Sequence, residues 1–387
     1  MPSLKTLPLL LFLLSACTNS GKHSDFSRDN WSIFRGNPSL TAAIHVSLPS
    51  NPTLLWSFKT DSYTKSSPVV YHKTVYWSDR RGHIIGIDIK GEQVFDYALE
   101  TAVDATPMIH DSVLYIGRID GFLSAISLTK GDTLWNFETW GQIVASPNRC
   151  ITDGRELIIV GSYDNFLYTI DIRNGKEVSR IESGYYINGA VAVHERHAAF
   201  GGCDGWFRVV DCISGIQTDS LDIGIYIPAS PAMVKQSHPS GGIDCYIADH
   251  NGNVYEINME GGRIVSHKKM VEADDNGGSF VSVPAVSEKT VYLVSGDRYL
   301  YAINRKDGAI AWKYLLKGDT GESSPVVCKD KVLICTRSGI ITIHDSKTGN
   351  PLWEYDTGEQ IIGSPAVIGG YFYILTFKGT LFCFGGV

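Results

Sequence analysis

The sequence predicts an all-β fold, an eight-bladed β-propeller of four-stranded antiparallel blades, and three observations carry that reading. A short Ser-Pro segment recurs at near-constant spacing. Each recurrence is followed by alternating apolar runs punctuated by Asp-Gly and Asn-Gly pairs. No stretch has convincing helical periodicity. Of the 387 residues, 43% are hydrophobic and 19% charged, which is ample for a large core. The 39 glycines and 19 tyrosines suit many tight turns and many strands.

The repeat runs through Ser67-Pro68-Val69-Val70, Thr106-Pro107-Met108, Ser146-Pro147 and a degenerate Gly189-Ala190-Val191. It continues as Ser230-Pro231-Ala232, Val283-Pro284-Ala285, Ser324-Pro325-Val326 and Ser364-Pro365-Ala366. Seven intervals separate Pro68 from Pro365, at about 42 residues each, the length of a four-stranded blade. Within a copy, the Ser-Pro strand leads to a second strand such as Val75-Tyr76-Trp77 or Val113-Leu114-Tyr115-Ile116. A tight turn follows at Asp120-Gly121, Asp164-Asn165, Asp204-Gly205 or Asn251-Gly252. Such pairs adopt the positive φ that a two-residue hairpin needs. A third strand comes next, as in Phe166-Leu167-Tyr168-Thr169-Ile170, and then a fourth carrying an aromatic residue. The last copy stops after its third strand, at Phe382-Cys383-Phe384. The missing strand lies ahead of the first copy as Leu54-Leu55-Trp56-Ser57-Phe58. Pairing the two ends closes the ring and removes a free sheet edge.

The N-terminus speaks to compartment. Lys5 precedes the apolar run Leu7 to Leu14, followed by Ser15-Ala16-Cys17. A charged start, a short apolar stretch and small residues at the cut describe an export signal. The run is shorter than the roughly 20 residues of a membrane-spanning helix. Leu14-Ser15-Ala16-Cys17 resembles the lipobox of bacterial lipoproteins, which implies cleavage before Cys17 and its acylation. In that pattern Thr18, in place of Asp, implies the outer membrane. The expected organisation is a signal peptide over 1–16, then lipidated Cys17, a tether and a lead-in segment over 17–50. The propeller occupies 51–387.

Charge and cysteine usage narrow the function. The formal net charge is −7 and no run of Lys or Arg stands out. Nucleic acid is therefore excluded as a partner, because binding it needs a basic stripe. Beyond Cys17 seven cysteines remain, an odd number, with no CxxC or CxxH spacing to suggest zinc. No disulfide follows from the sequence. His194-Glu195-Arg196-His197 lacks the His-Glu-x-x-His spacing of a metalloprotease and reads as a hairpin turn. The stretch from Glu272 to Gly278 is acidic but lacks alternating calcium ligands, so it reads as a loop.

Ala302-x-Asn304-x-x-Asp307-Gly308-x-x-x-Trp312 resembles the tryptophan-docking motif of quinoprotein (PQQ-like) propellers. The segments ending at Trp135 and Trp353 match it less fully, and Trp31 to Pro38 resembles the family's lead-in. The resemblance implies that Trp56, Trp135, Trp312 and Trp353 glue adjacent blades, while Ser179, Asp219 and Ser266 hold the equivalent places in blades 3 to 5. Catalytic members are implied to use adjacent cysteines, a calcium site and a catalytic Asp around a quinone. No two cysteines are adjacent in this chain. The expectation is therefore no cofactor, no metal and no catalytic residue. A lipid anchor ahead of eight such blades is similar to the BamB family of envelope lipoproteins. That likeness implies a protein-binding scaffold whose partners are the β-barrel assembly machinery or unfolded outer-membrane proteins.

The candidate partner site is an aromatic sector. The loops approaching each inner strand and the turns between second and third strands share one face of a propeller. In those positions Trp140, Tyr185, Tyr186, Tyr226 and Phe280 are joined by Tyr163, Phe166 and Trp206. Aromatic residues of this kind are enriched at binding surfaces. The other reading folds the rings inward, to plug the channel. The interval from Pro231 to Pro284 is longer than the rest, with the excess at 235–244 and 270–279, and long loops often carry function. Two other functions stay open: an envelope glycan-binding or sensing propeller, and a small quinone-dependent dehydrogenase.

Overall fold

The computed structural model describes residues 30–236, 241–272 and 282–386. Eight sheets form, each the antiparallel ladder the repeat predicts. Blades 1 to 7 span residues 69–98, 108–138, 148–182, 192–222, 232–271, 285–315 and 326–356. Blade 8 combines residues 366–385 with the outer strand Thr53–Lys59, which pairs antiparallel with Thr380–Gly385. His194 and His197 face each other across a hairpin of blade 4, as the turn reading requires.

Burial follows the layout. Second and third strands, such as Thr74–Ser78 and His83–Asp88, are buried on both faces because a neighbouring blade covers each face. Outer strands such as Pro351–Asp356 alternate between exposed and half-buried. The core is correspondingly divided among the seams. One cluster joins Ile84 of blade 1 to Leu114 of blade 2, another joins Leu157 of blade 3 to Val210 of blade 4. The Ser-Pro repeat has a physical role at the top of these seams. The Ser67 amide donates to Thr106 Oγ1 (2.8 Å), Thr106 to Ser146 Oγ (3.3 Å) and Val283 to Ser324 Oγ (2.9 Å). Ser324 donates in turn to Ser364 Oγ (3.1 Å), and Ser364 to Ser67 Oγ (2.9 Å), which joins the last blade to the first.

An inner strand presents unpaired N–H groups to the channel, and buried N–H groups need partners. Residues 31–44 supply them, crossing the channel as a strap. Trp31 exchanges two backbone hydrogen bonds with Val70 in blade 1. Ile109 of blade 2 donates to the Ser32 carbonyl (2.7 Å), and Asn148 of blade 3 reaches the Pro38 carbonyl through Nδ2 (2.7 Å). Val193, Met233, Val286 and Val327, of blades 4 to 7, donate to Pro38, Ser39, Thr41 and Ala42. Ala43–Ile44 then pairs parallel with the inner strand of blade 7. Trp31, Ile33, Leu40 and Ala42 are buried beneath the blades.

The docking tryptophans act as the motif implies. Trp56 lies against Gly91 of blade 1 and donates to the Ile89 carbonyl (2.9 Å). Trp135 lies on Gly175 and donates to Ile172 (3.3 Å), while Trp312 lies on Gly349 and donates to Ser346 (3.1 Å). Trp353 packs edge-on against Phe372 and Phe384. The seams without tryptophan use other chemistry. Between blades 4 and 5, Thr218 Oγ1 donates to the Gly262 carbonyl (2.7 Å) and Asp219 accepts from the Ile264 amide (2.9 Å). Between blades 5 and 6, Arg305 bridges Asp244 (2.8 Å) and the Tyr246 hydroxyl (3.0 Å), which itself donates to Glu256 (2.6 Å).

Gly349 and Gly131 both adopt positive φ, but a Cβ at Gly349 would meet the Trp312 ring at 2.5 Å, whereas nothing lies within 4 Å of one at Gly131. Gly131→Ala should therefore cost only the left-handed penalty of roughly 1–2 kcal/mol. Gly349→Ala should cost more than that by displacing the ring, and equilibrium urea unfolding of the pair measures the difference. Arg305→Ala removes the cation from the Asp244 carboxylate, which keeps only the Gln236 and Asn258 amides as donors, so the same measurement should lose about 3 kcal/mol.

Candidate functional site: a polar funnel with an aromatic wall

Approach loops and second-to-third-strand turns meet on one face. The Arg80 amide donates to the Tyr63 carbonyl, Tyr163 to Gln142 and His250 to Tyr226, each at 2.9 Å. These contacts ring the mouth of a funnel of about 690 Å³. Its wall includes Lys65, Arg80, Asp104, Tyr163, Asn188 and Tyr226, the repeat hydroxyls line its throat, and Phe34 of the strap reaches it from below. The channel is thus crossed by the N-terminal strap.

The funnel's charges are largely internally matched. Arg80 grips Asp104 through Nε (2.7 Å) and Nη2 (2.8 Å), and that hydrogen-bonded contact holds the guanidinium above its ordinary pKa. Lys65 stands 3.7 Å from the same carboxylate. On the opposite wall the Asn188 amide donates to Cys203 Sγ (3.2 Å) and to the Tyr226 hydroxyl (3.4 Å). Burial raises the Cys203 thiol and the Tyr163 and Tyr226 phenols, so all three stay neutral near pH 7. A protonated thiol is a poor nucleophile. A calcium-bound quinone needs converging carboxylates, yet Asp104 is already committed to Arg80. No group of three His, Cys, Asp or Glu side chains is placed to hold a metal among the described residues. The residues present do not fit that cofactor.

The predicted aromatic residues divide between funnel and rim. Tyr163 and Tyr186 stack nearly parallel, with centroids 4.8 Å apart and planes at 6°, and Tyr185 follows at 4.5 Å from Tyr186. Tyr163 thus carries the stack to the funnel wall, while Tyr185 is half exposed to solvent. Tyr226 lines the funnel and packs on His250 at 5.3 Å. Trp140 stands on the rim at 78% exposure. Its backbone is fixed by Asp164, which accepts from the Trp140 amide (2.9 Å). Trp206 is on the same face, but no ring contact joins it to the tyrosines among the described residues. Cys17, Phe280 and most of 270–279 lie outside the described residues, as does part of 235–244.

Arg180 is a site residue that the sequence reading missed. Its guanidinium lies 5.6 Å from the Trp140 ring centroid and 5.3 Å from that of Phe166, which tethers the exposed indole by cation–π attraction. It follows Ser179, the place of the lost docking tryptophan, on outer strand Glu177–Glu182. Phe166 lies on the adjacent strand Phe166–Asp171 of the same blade, but Trp140 comes from a separate loop, which nothing local in the sequence marks.

Known proteins match this architecture over most of its length. A family model described as outer membrane protein assembly factor BamB matches residues 45–199 and 225–386. The BamB of Shewanella oneidensis is 22% identical over 404 residues, covering 96% of this chain and 95% of that protein. The crystal structure of BamB from Moraxella catarrhalis superposes with a TM-score of 0.71 at 20% identity, over 87% of this chain and 98% of that one. The quinohemoprotein alcohol dehydrogenase of Comamonas testosteroni shares the fold, with a TM-score of 0.78 at 12% identity over 94% and 81% of the two chains. The model match spans well over half of the sequence, and the chain belongs to the outer membrane protein assembly factor BamB family.

Proposed function

We propose that this chain is a non-catalytic envelope scaffold that works in outer-membrane protein assembly and binds its partner through the aromatic rim of blades 3 and 4. The observation that carries the reading is the exposed, pre-organised group of Trp140, Tyr185 and Tyr186 on a BamB-family propeller. Rigid aromatic side chains contribute large contact area while losing little conformational freedom on binding. The self-paired charges and protonated thiol of the funnel support a binding role over a catalytic one.

The lipid anchor at Cys17 fits the same arrangement. Asn30, the first described residue, accepts from the His72 amide (2.9 Å) in a turn on the face opposite the funnel. A tether from Cys17 would enter the described structure at Asn30, on that far face. The partner is an envelope protein, either the β-barrel assembly machinery or an unfolded outer-membrane protein. A second reading, an envelope glycan as ligand, is favoured by one feature, the hydroxyl-lined funnel with tyrosines on one wall.

Affinity capture of the lipidated protein from gently solubilised envelopes tests the choice. Barrel-assembly components should be recovered with the wild-type protein. Their recovery should fall on the order of 100-fold with Trp140→Ala, Tyr186→Ala, Tyr226→Ala and Phe280→Ala combined. Equal recovery from the variant, with an unchanged melting temperature, contradicts the proposed surface.

A further inference from the structure

The seam between blades 3 and 4 lacks two devices that join other blades. Ser179 replaces the docking tryptophan, and Gly189 replaces the hydroxyl that would receive the Ser146 amide. Beside the buried bond from the Asn148 side-chain amide to the Val191 carbonyl (2.6 Å), the seam holds a pair of cysteines. Cys150 sits in the inner strand Asn148–Thr152 of blade 3, and Cys212 directly follows Trp206–Asp211, the third strand of blade 4. Both are buried in one core cluster. They converge on consecutive carbonyls of a single turn. Cys150 Sγ lies 3.2 Å from the Glu195 oxygen, and the Cys212 amide donates to Arg196 at 2.8 Å. Both stand as free thiols in the structure. The other described cysteines lie elsewhere: Cys203 behind Asn188 of the funnel wall, Cys245 between blades 4 and 5, and Cys328, Cys335 and Cys383 in the cluster that joins blades 6, 7, 8 and 1.

We propose that Cys150 and Cys212 form a disulfide that staples blade 3 to blade 4. One thiolate attacks the disulfide of an exchange donor, giving a mixed disulfide and releasing one donor thiol. The second thiolate then attacks the mixed disulfide and releases the other donor thiol. Two protein thiols lose two protons and two electrons, and the donor disulfide is reduced to two thiols. The neighbouring Cys150 thiol and burial hold Cys212 well above its ordinary pKa, so exchange is slow once the seam has closed. The bond therefore forms while the chain folds. That a donor is met in the cell rests on the export reading of residues 1–17, but the bond itself does not.

The test refolds the full chain from denaturant in a buffer of oxidised and reduced glutathione. Non-reducing proteolysis and mass spectrometry then map the cysteines. A linked pair of peptides containing Cys150 and Cys212 is expected. Reduction should lower the melting temperature by roughly 5 °C, and neither Cys150→Ser nor Cys212→Ser should keep that sensitivity. Recovery of both cysteines as free thiols, or linked to other cysteines, overturns the proposal whether or not the serine variants fold. The two proposals are read separately, because peptide mapping reports only which sulfurs are linked and envelope capture only which partner is bound.

Discussion

The pairing of Thr53–Lys59 with Thr380–Gly385 holds the two ends of the propeller together, and most other features presuppose it. A row of eight sheets in an open arc would leave the outer face of its first blade and last blade uncovered. Closing the arc turns those faces into one more seam, with Trp56 carried into place against Gly91. The same N-terminal segment also serves the inside. Residues 31–44 pass beneath the inner strands and accept N–H groups that would otherwise be buried without partners. Outer closure and inner strap are thus two consequences of one excursion of the chain. Because every seam joins only neighbours, local losses of glue are tolerated when a substitute is at hand.

That tolerance is visible in blades 3 to 6. The tryptophan-free seams use a Thr–Asp clasp between blades 4 and 5, and an Arg305–Asp244–Tyr246 network between blades 5 and 6. The partner-binding rim proposed above stands on these blades. Arg180, beside Ser179, steadies Trp140 and Phe166 on the rim, much as Lys313 beside Trp312 lies over Tyr299 and Tyr301. In this region the outer strand serves the face of the molecule as well as the seam.

The ring was legible in the sequence because its signals are local and repeated. A period of about 42 residues, Asp-Gly turns and alternating apolar runs specify a blade without reference to distant residues. The missing last strand was legible for the same reason, since a gap at one end matched a surplus at the other. The strap was not, because its bonding is dictated by N–H groups on seven inner strands far away in the chain. The substitutes for tryptophan were hidden likewise: Asp219 accepts from Ile264, and Arg305 reaches back to Asp244, across blade boundaries. The aromatic candidates were placed by their position in loops and turns that share the funnel face. Their division into a Tyr163–Tyr186–Tyr185 stack, a funnel-lining Tyr226 and a rim Trp140 depends on side-chain packing, which no periodicity encodes.

The most direct measurement is site-specific photo-crosslinking in intact envelopes, with the reactive group placed at Trp140 on the aromatic rim or at Asp153 on the far face. Both side chains are exposed, so each probe reports on whatever approaches its own face. Crosslinks from the rim to a component of the β-barrel assembly machinery, without the same crosslinks from Asp153, are the predicted result. Barrel-assembly crosslinks from Asp153 but none from Trp140 would place the partner on the wrong face and contradict the account.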